Sequence, residues 1–327
     1  MVHKAVDPDS VQMRKILSSS DLTRVSQDDL RQLVQSQLAS ILAALQNNPE
    51  KPKFEIYAAG QQGPHREQME DAWCVVECLG SFCGKPVTPD DIFIGMYDGH
   101  AGKECAEYVR DYLHYNLCCS DNYAIDVPKA FSEAFCRTHD RYLAELKSDA
   151  GTTATCLLLR GDLLWVANAG DSMLVRCHNG QAHTMTKIHR AGYATERAMI
   201  EARGGVVLHN NSCWRVNGLL TLSRSLGDRP TAKYISHDAE VTTHTIDYDG
   251  DEFFVLASDG LWDFMTPQAV VDFVRQARNE VDEGVVSLRR HNDHSSKDSA
   301  DTVFRSVEVS EVCPTESCSD AELDTFE

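Results

Sequence analysis

The chain has 327 residues, enough for one large core or two modest domains, with 42% hydrophobic and 25% charged residues, an ordinary globular composition. Lys and Arg total 31 against 50 Asp and Glu, and the net charge of −19 disfavours nucleic acid and anionic membrane as partners. No apolar run reaches the ~20 residues that a membrane-spanning helix needs.

The first residues, Met1-Val-His-Lys-Ala-Val-Asp, lack the apolar core of a signal peptide, so a cytoplasmic or nuclear location is expected. The 12 cysteines form no C-x-x-C pair and have no zinc-type spacing. Several sit at apolar positions, such as Cys74, Cys105 and Cys156, so buried reduced thiols are expected rather than a disulfide framework.

Residues 1–25 are polar and without period. Ser26 then reads as a helix cap, followed by Leu30, Leu33, Val34, Leu38, Ile41, Leu42 and Leu45 at helical spacing, until Asn47-Asn48-Pro49 stops the run. This amphipathic helix marks residues 1–52 as an N-terminal extension. Packing on the main domain is the simpler reading of its apolar face, and an autoregulatory or partner-binding helix is the other.

From Phe54 the pattern turns to short β-like runs: 54–57, 72–76, 92–97, 153–159, 163–169, 172–177 and 253–257. Helical stretches are predicted over 103–117, 128–146, 195–203 and 266–277, the last with Thr266 as cap and Pro267 at the first position. Strands cluster and helices come in pairs without strict alternation, which predicts an α+β fold. Residues 53–310 form the main domain, and 311–327 read as an acidic tail.

The informative feature is where certain acids fall. Glu70-Asp71 opens one apolar strand, Asp98 closes another before Gly99-His100-Ala101-Gly102, Asp171 follows a third, and Asp259 ends a fourth with Asp263 four residues on. Any single such Asp is as readily a turn residue. Repetition at four strand ends favours ligands, because a carboxylate buried at the end of a strand is costly unless it is paired or binds metal. Few basic residues stand beside these acids in sequence, and hard oxygen donors without His or Cys suit Mg²⁺ or Mn²⁺.

The same residues carry a family resemblance. Arg66-Glu-Gln-Met-Glu-Asp71, Tyr97-Asp-Gly-His-Ala-Gly102, Gly151-Thr-Thr-Ala154, Ala169-Gly-Asp-Ser172, Arg215-Val-Asn-Gly218, Leu222-Ser-Arg-Ser-Leu-Gly-Asp228 and Ser258-Asp-Gly-Leu-Trp-Asp263 resemble, in order, the motifs of the PPM family, the type 2C metal-dependent protein phosphatases. The resemblance covers residues 54–277 and extends toward 309. It implies a β-sandwich of two antiparallel sheets flanked by α-helices. It also implies hydrolysis of phosphoserine and phosphothreonine in proteins by a metal-activated water.

By this resemblance, Asp98 bridges two cations and the Gly99 carbonyl helps hold one of them. Asp259 completes a coordination shell, Glu70 and Asp71 contribute directly or through water, and Asp171 and Asp263 match a third, weaker metal position. Arg66 is the candidate phosphate clamp and His100 the candidate general acid. Thr152, Arg215, Asn217, Ser223, Arg224 and Asp228 shape the sheet and a neighbouring flap over 187–214, where substrate choice is sought. Phosphoproteins are the implied partners, and a monomer is expected.

Three positions depart from the family pattern. Met173 stands where Arg is frequent, and Ile188 where Asp precedes His. The last metal-binding Asp, in a Ser-x-Asp-Asn-like pattern, is matched by Asp298, with Asp301 after a one-residue shift and Asp293 as alternatives. These departures keep a second hypothesis open, that of a catalytically weak phosphatase-like scaffold binding a kinase or phosphoprotein. A metal-dependent phosphatase of small molecules shares the same site. No P-loop is present to support a kinase or NTPase.

Overall fold

The computed structural model describes residues 54–63, 66–82, 90–210 and 213–282. The helix expected after Ser26, the acidic tail, and Asp293, Asp298 and Asp301 lie outside the described residues.

In chain order, β1 (Ala72–Val76), α1 (Leu79–Phe82), β2 (Ile92–Tyr97) and β3 (Gly99–His100) lead into α2 (Glu104–Cys118) and α3 (Val127–Glu145). There follow β4 (Gly151–Thr152), β5 (Ala154–Arg160), β6 (Leu163–Ala169), β7 (Met173–His178) and β8 (Gln181–Thr184). A separate lobe then carries α4 (Ala194–Ala202), β9 (Val207–Asn210) and β10 (Cys213–Val216). The chain returns through β11 (Leu226–Gly227), β12 (Glu240–Thr245), β13 (Asp251–Ala257), α5 (Asp259–Trp262) and α6 (Pro267–Asp282).

Alternation along the central strands decides how these elements stack. β1, β2, β5, β6 and β12 form one antiparallel sheet in the order β1-β2-β5-β6-β12. Successive side chains of a strand point to opposite faces. Phe93, Tyr97, Cys156, Leu158, Ala167 and Ala169 therefore share one face, where they pack against Val109, Leu113 and Leu117 of α2 and Phe131 and Phe135 of α3. Ile94, Leu157, Leu159, Leu164 and Val166 share the other, where they meet Leu174, Phe254 and Leu256 of a second sheet ordered β13-β7-β8. The outer face of that sheet, through Val175, Cys177 and Phe253, takes Val271 of α6. The result is helix on sheet on sheet on helix, the two-sheet sandwich with flanking helices that the sequence motifs implied.

The helices follow ordinary rules. Asp126 caps α3 by accepting the Lys129 N–H at 3.1 Å, and Pro128 sits in the first turn where it loses no hydrogen bond. The predicted helices match the observed ones to within one residue at most ends, α6 running on to Asp282.

The run 54–57 is a correction. It is no strand of the described sheets, and Phe54 packs its ring on the inter-sheet core and against Tyr248. β8, β9, β10 and β12 were not anticipated. β12 is a sheet edge with the half-exposed sequence Glu-Val-Thr-Thr-His-Thr, so it carries no apolar stripe to read. Cys74, Cys105, Cys156 and Cys177 are buried free thiols, and burial pushes the Cys74 thiol up to about 12. Cys118 departs from the reduced-thiol expectation in being disulfide-bonded. Among the described residues no helix is long and apolar enough to cross a membrane.

His139, on the inner face of α3, is buried, stacks on His237 at 4.4 Å and accepts the Gly227 N–H on Nδ1 at 3.2 Å. Burial, then the neighbouring His237, pushes its pKa down to about 4. The folded state therefore releases the proton that the unfolded chain holds below about 6.5. The stability His139 contributes is complete above that pH and is lost as pH falls toward 4. His139→Gln is expected to flatten this part of the curve, with the two proteins diverging by ~2–3 kcal/mol between pH 7 and 4 in urea denaturation.

Candidate active site

The candidate site forms where the strands of both sheets end together. Buried Tyr97 closes β2, and the next residue, Asp98, is fixed by its backbone. Its N–H donates to Thr153 Oγ1 at 3.1 Å, and its carbonyl accepts the Thr153 N–H at 2.9 Å. Thr153 Oγ1 also shares a hydrogen bond of 3.0 Å with Ser172 Oγ, beside Asp171. One buried threonine thus holds the Asp98 and Asp171 strand ends in register. Gly170 makes that approach possible: its φ is +125°, and a Cβ there would sit 2.5 Å from the Thr153 side chain.

Gly99 follows the same logic on the other flank. A Cβ at Gly99 would lie 2.3 Å from the Glu70 carbonyl oxygen, so only glycine lets the Asp98 loop lie against the Glu70 backbone. The Glu70 carboxylate accepts the Gly102 N–H at 2.8 Å, closing that loop from the far side. Asp71 accepts the Ser258 hydroxyl at 3.0 Å, which ties the start of β1 to the residue before Asp259. Asp259 opens α5, and its carbonyl accepts the Asp263 N–H at 2.9 Å, one turn further on.

These ties bring one carboxylate oxygen each from Asp98, Asp171 and Asp259 within 4.8 Å of one another. The electrostatic cost is plain. Burial, then the charges of Asp71, Asp259 and Asp171, pushes the Asp98 carboxyl up to about 9. Burial, then Asp171 and Asp263, raises Asp259 to about 6, with Arg190 acting in the opposite direction. Burial also raises Asp71. Carboxylates held this close demand a counter-charge. An all-oxygen set without His or Cys fits hard divalent cations, and Asp71, Asp98 and Asp259 are the residues able to hold them, with Asp171 beside them already paired to Arg190.

The remaining candidates fall at the rim. Arg66 is exposed, yet close enough for its charge to lower the Asp71 pKa. Asp263 is exposed and faces Arg190, near enough to Asp259 for its charge to raise that carboxyl. His100 is placed by a small sheet in the order β11-β4-β3, which sets it across from Gly151, and Gly151 across from Gly227. His100 Nε2 therefore meets the carboxylate of Asp228 at 2.8 and 2.9 Å. Burial would lower the His100 pKa, but the hydrogen bond and charge of Asp228 raise it above the ordinary value.

Two features escaped the sequence. Asp228 was assigned a shaping role, and it is also the direct partner of His100. Arg190 was not singled out at all, although its Nε lies 2.8 Å from Asp171 and its Nη2 3.6 Å from both Asp259 and Asp263. The expectation that few basic residues serve these acids held along the chain and failed in space. The departures Met173 and Ile188 both lie in the apolar cluster under α6, so an apolar pair stands where an Arg and an Asp are frequent. Asp298 lies outside the described residues.

Two antiparallel sheets between helices, with carboxylates converging at one end, define the phosphatase 2C class. Residues 57–302 match the family model "Protein phosphatase 2C", and the chain belongs to that family. It is similar to Probable protein phosphatase 2C 71 of Arabidopsis thaliana, 39% identical over 188 residues that cover 57% of this chain and 42% of that protein. It is also similar to Probable protein phosphatase 2C 59 of Arabidopsis thaliana, 38% identical over 197 residues, or 59% of this chain and 62% of that one. The chain thus spans about half the length of the curated relatives it matches. In fold it resembles the crystal structure of serine-threonine phosphatase 2C from Toxoplasma gondii, with a TM-score of 0.58 and 21% identity over 66% of this chain and 81% of that chain.

The raised Asp98 carboxyl sets a test. Its folded pKa lies above the unfolded value, so ionising it costs stability as pH rises from about 4 toward 9 in the metal-free protein. Asp98→Asn is expected to raise the metal-free Tm by a few °C at pH 7.5 and to abolish the further rise on adding Mg²⁺, as read by thermal denaturation with and without EDTA.

Proposed function

We propose that the chain is a metal-dependent protein phosphatase that hydrolyses phosphoserine and phosphothreonine in protein substrates. The observation that carries this reading is the convergence of Asp98, Asp171 and Asp259, from three separate strand ends, in a chain of the phosphatase 2C family. When bound, a pair of Mg²⁺ or Mn²⁺ ions supplies a water acidic enough to react near neutral pH and neutralises charge on the phosphoryl oxygens.

The side chains supply the rest. Asp98, Asp71 and Asp259, with the Gly99 carbonyl, would hold the ions, and Glu70 braces the loop that carries Asp98 and His100 by accepting the Gly102 N–H. Arg66, exposed at the rim, offers a planar fork to two phosphate oxygens. His100 donates a proton to the departing serine or threonine oxygen. Asp228 keeps a proton on Nε2 and favours the imidazolium form that this step consumes.

The scaffold reading gives no reason for so costly a cluster. A surface that only docks a partner has no use for carboxylates whose mutual repulsion lowers the stability of the domain.

Hydrolysis of a phosphothreonine peptide, measured in EDTA, Mg²⁺ and Mn²⁺, tests the proposal. Activity should require added metal and disappear in Asp98→Asn and Asp259→Asn. Full activity in either variant would overturn the assignment, and no activity from the folded wild type at any metal concentration would put the scaffold first. Replacing the general acid has a distinct signature. His100→Gln should lower kcat on the peptide ~100-fold or more, and far less on p-nitrophenyl phosphate, whose leaving group departs without a proton. Arg66→Ala should raise KM for both substrates about tenfold, with a smaller change in kcat.

A further inference from the structure

Arg190 has no place in the roles assigned above, yet it is the best-fixed cation at the site. His189 clasps the residue before Asp171 from both sides: its N–H donates to the Gly170 carbonyl at 3.0 Å, and its Nδ1 accepts the Gly170 N–H at 3.3 Å. The residue after His189 must then lie alongside the residue after Gly170. Arg190 is further held by a bridge to Leu222, and its carbonyl accepts the Tyr193 N–H at 3.1 Å. Its guanidinium reaches over the acids, with Nε 2.8 Å from Asp171 Oδ2 and Nη2 3.6 Å from Asp259 Oδ2 and from Asp263 Oδ1.

Asp171 and Asp263 are the two residues that the family resemblance matched to a third, weaker metal position. A guanidinium carries its charge at every pH a protein tolerates. A divalent ion placed between Asp171 and Asp263 would have to displace it against direct repulsion. The geometry does not fit a third metal with Arg190 in place.

We propose that Arg190 is the resident cation of the Asp171–Asp263 position. It excludes a divalent ion from that position and pins the flap to the edge of the site. Asp98, Asp71 and Asp259 are left for the metal pair, so the inference rests on the two-cation reading above. The coupling is built into the chain: the flap is tethered to the acids by a side chain rather than by an ion.

Mn²⁺ stoichiometry of the full chain, from the electron paramagnetic resonance signal of free Mn²⁺ during titration, tests this directly. Arg190→Gln should bind one Mn²⁺ more than the wild type, Arg190→Lys should match the wild type, and the double variant Arg190→Gln/Asp263→Asn should return to the wild-type count. An unchanged count in folded Arg190→Gln would overturn the proposal. Asp263→Asn alone, an exposed change that keeps the fold, should leave the wild-type count intact. Loss of one Mn²⁺ from this variant would show a metal where Arg190 is placed and would also overturn the proposal. Failure of the two-cation reading looks different: the wild type would then bind no more Mn²⁺ than Asp98→Asn.

Discussion

Carboxylates that repel one another, held together at the ends of two sheets, are the constraint on which this structure depends. Left to itself, a chain would splay Asp71, Asp98, Asp171 and Asp259 apart. What prevents it is backbone geometry laid down around them: the paired hydrogen bonds between Asp98 and Thr153, the Thr153–Ser172 hydroxyl contact and the Ser258–Asp71 bond. Each of these atoms is itself anchored by a strand whose two faces are buried, one under helices and one under the opposing sheet. The size of the apolar sandwich is thus matched to its task.

The flap is attached to this frame by charge as much as by packing. Its own apolar cluster gathers Ala191, Ile200, Val207, Val216 and Ile235, which extends it well past the expected boundary at residue 214. Buried Glu196 receives both the Arg224 fork, at 2.7 and 3.0 Å, and the Ser223 hydroxyl, at 2.6 Å. Burial alone would raise the Glu196 pKa, yet these donors lower it, so the carboxylate stays ionised inside the lobe. Arg190 adds a second tie at the site itself. Of these two arginines, Arg224 is satisfied within the lobe and Arg190 is shared with the acids of the site.

Much of this was legible from the chain alone, for identifiable reasons. Helices α2 and α3 bury one face at a spacing of three and four, and α3 carries a local cap in Asp126, so pattern and position agreed. β5, β6 and β7 are buried on both faces and read as continuous apolar runs. The acids were conspicuous because each interrupts such a run where glycine turns the backbone. β12 was hidden because an edge strand has little to bury, and β3, β4 and β11 because two-residue strands have no period. The apolar departure at Met173 and Ile188 could be noted in sequence but only made sense once the two residues met in one apolar cluster.

The sequence by itself determined the α+β class, the order of the main elements and the family, and it singled out the carboxylates at the strand ends. These properties are carried by short-range periodicity, by caps and turns, and by motifs a few residues long. The tertiary structure alone decided that His100 rests on Asp228 rather than on a neighbour in the chain, that Thr153 is the common hinge of Asp98 and Asp171, and that Arg190 supplies a cation to acids far from it in sequence. Such pairings arise only when sheets stack and a loop folds back over their ends. Coulomb attraction and hydrogen bonding act over a few ångströms of space, and no pattern along the chain records which residues will share it.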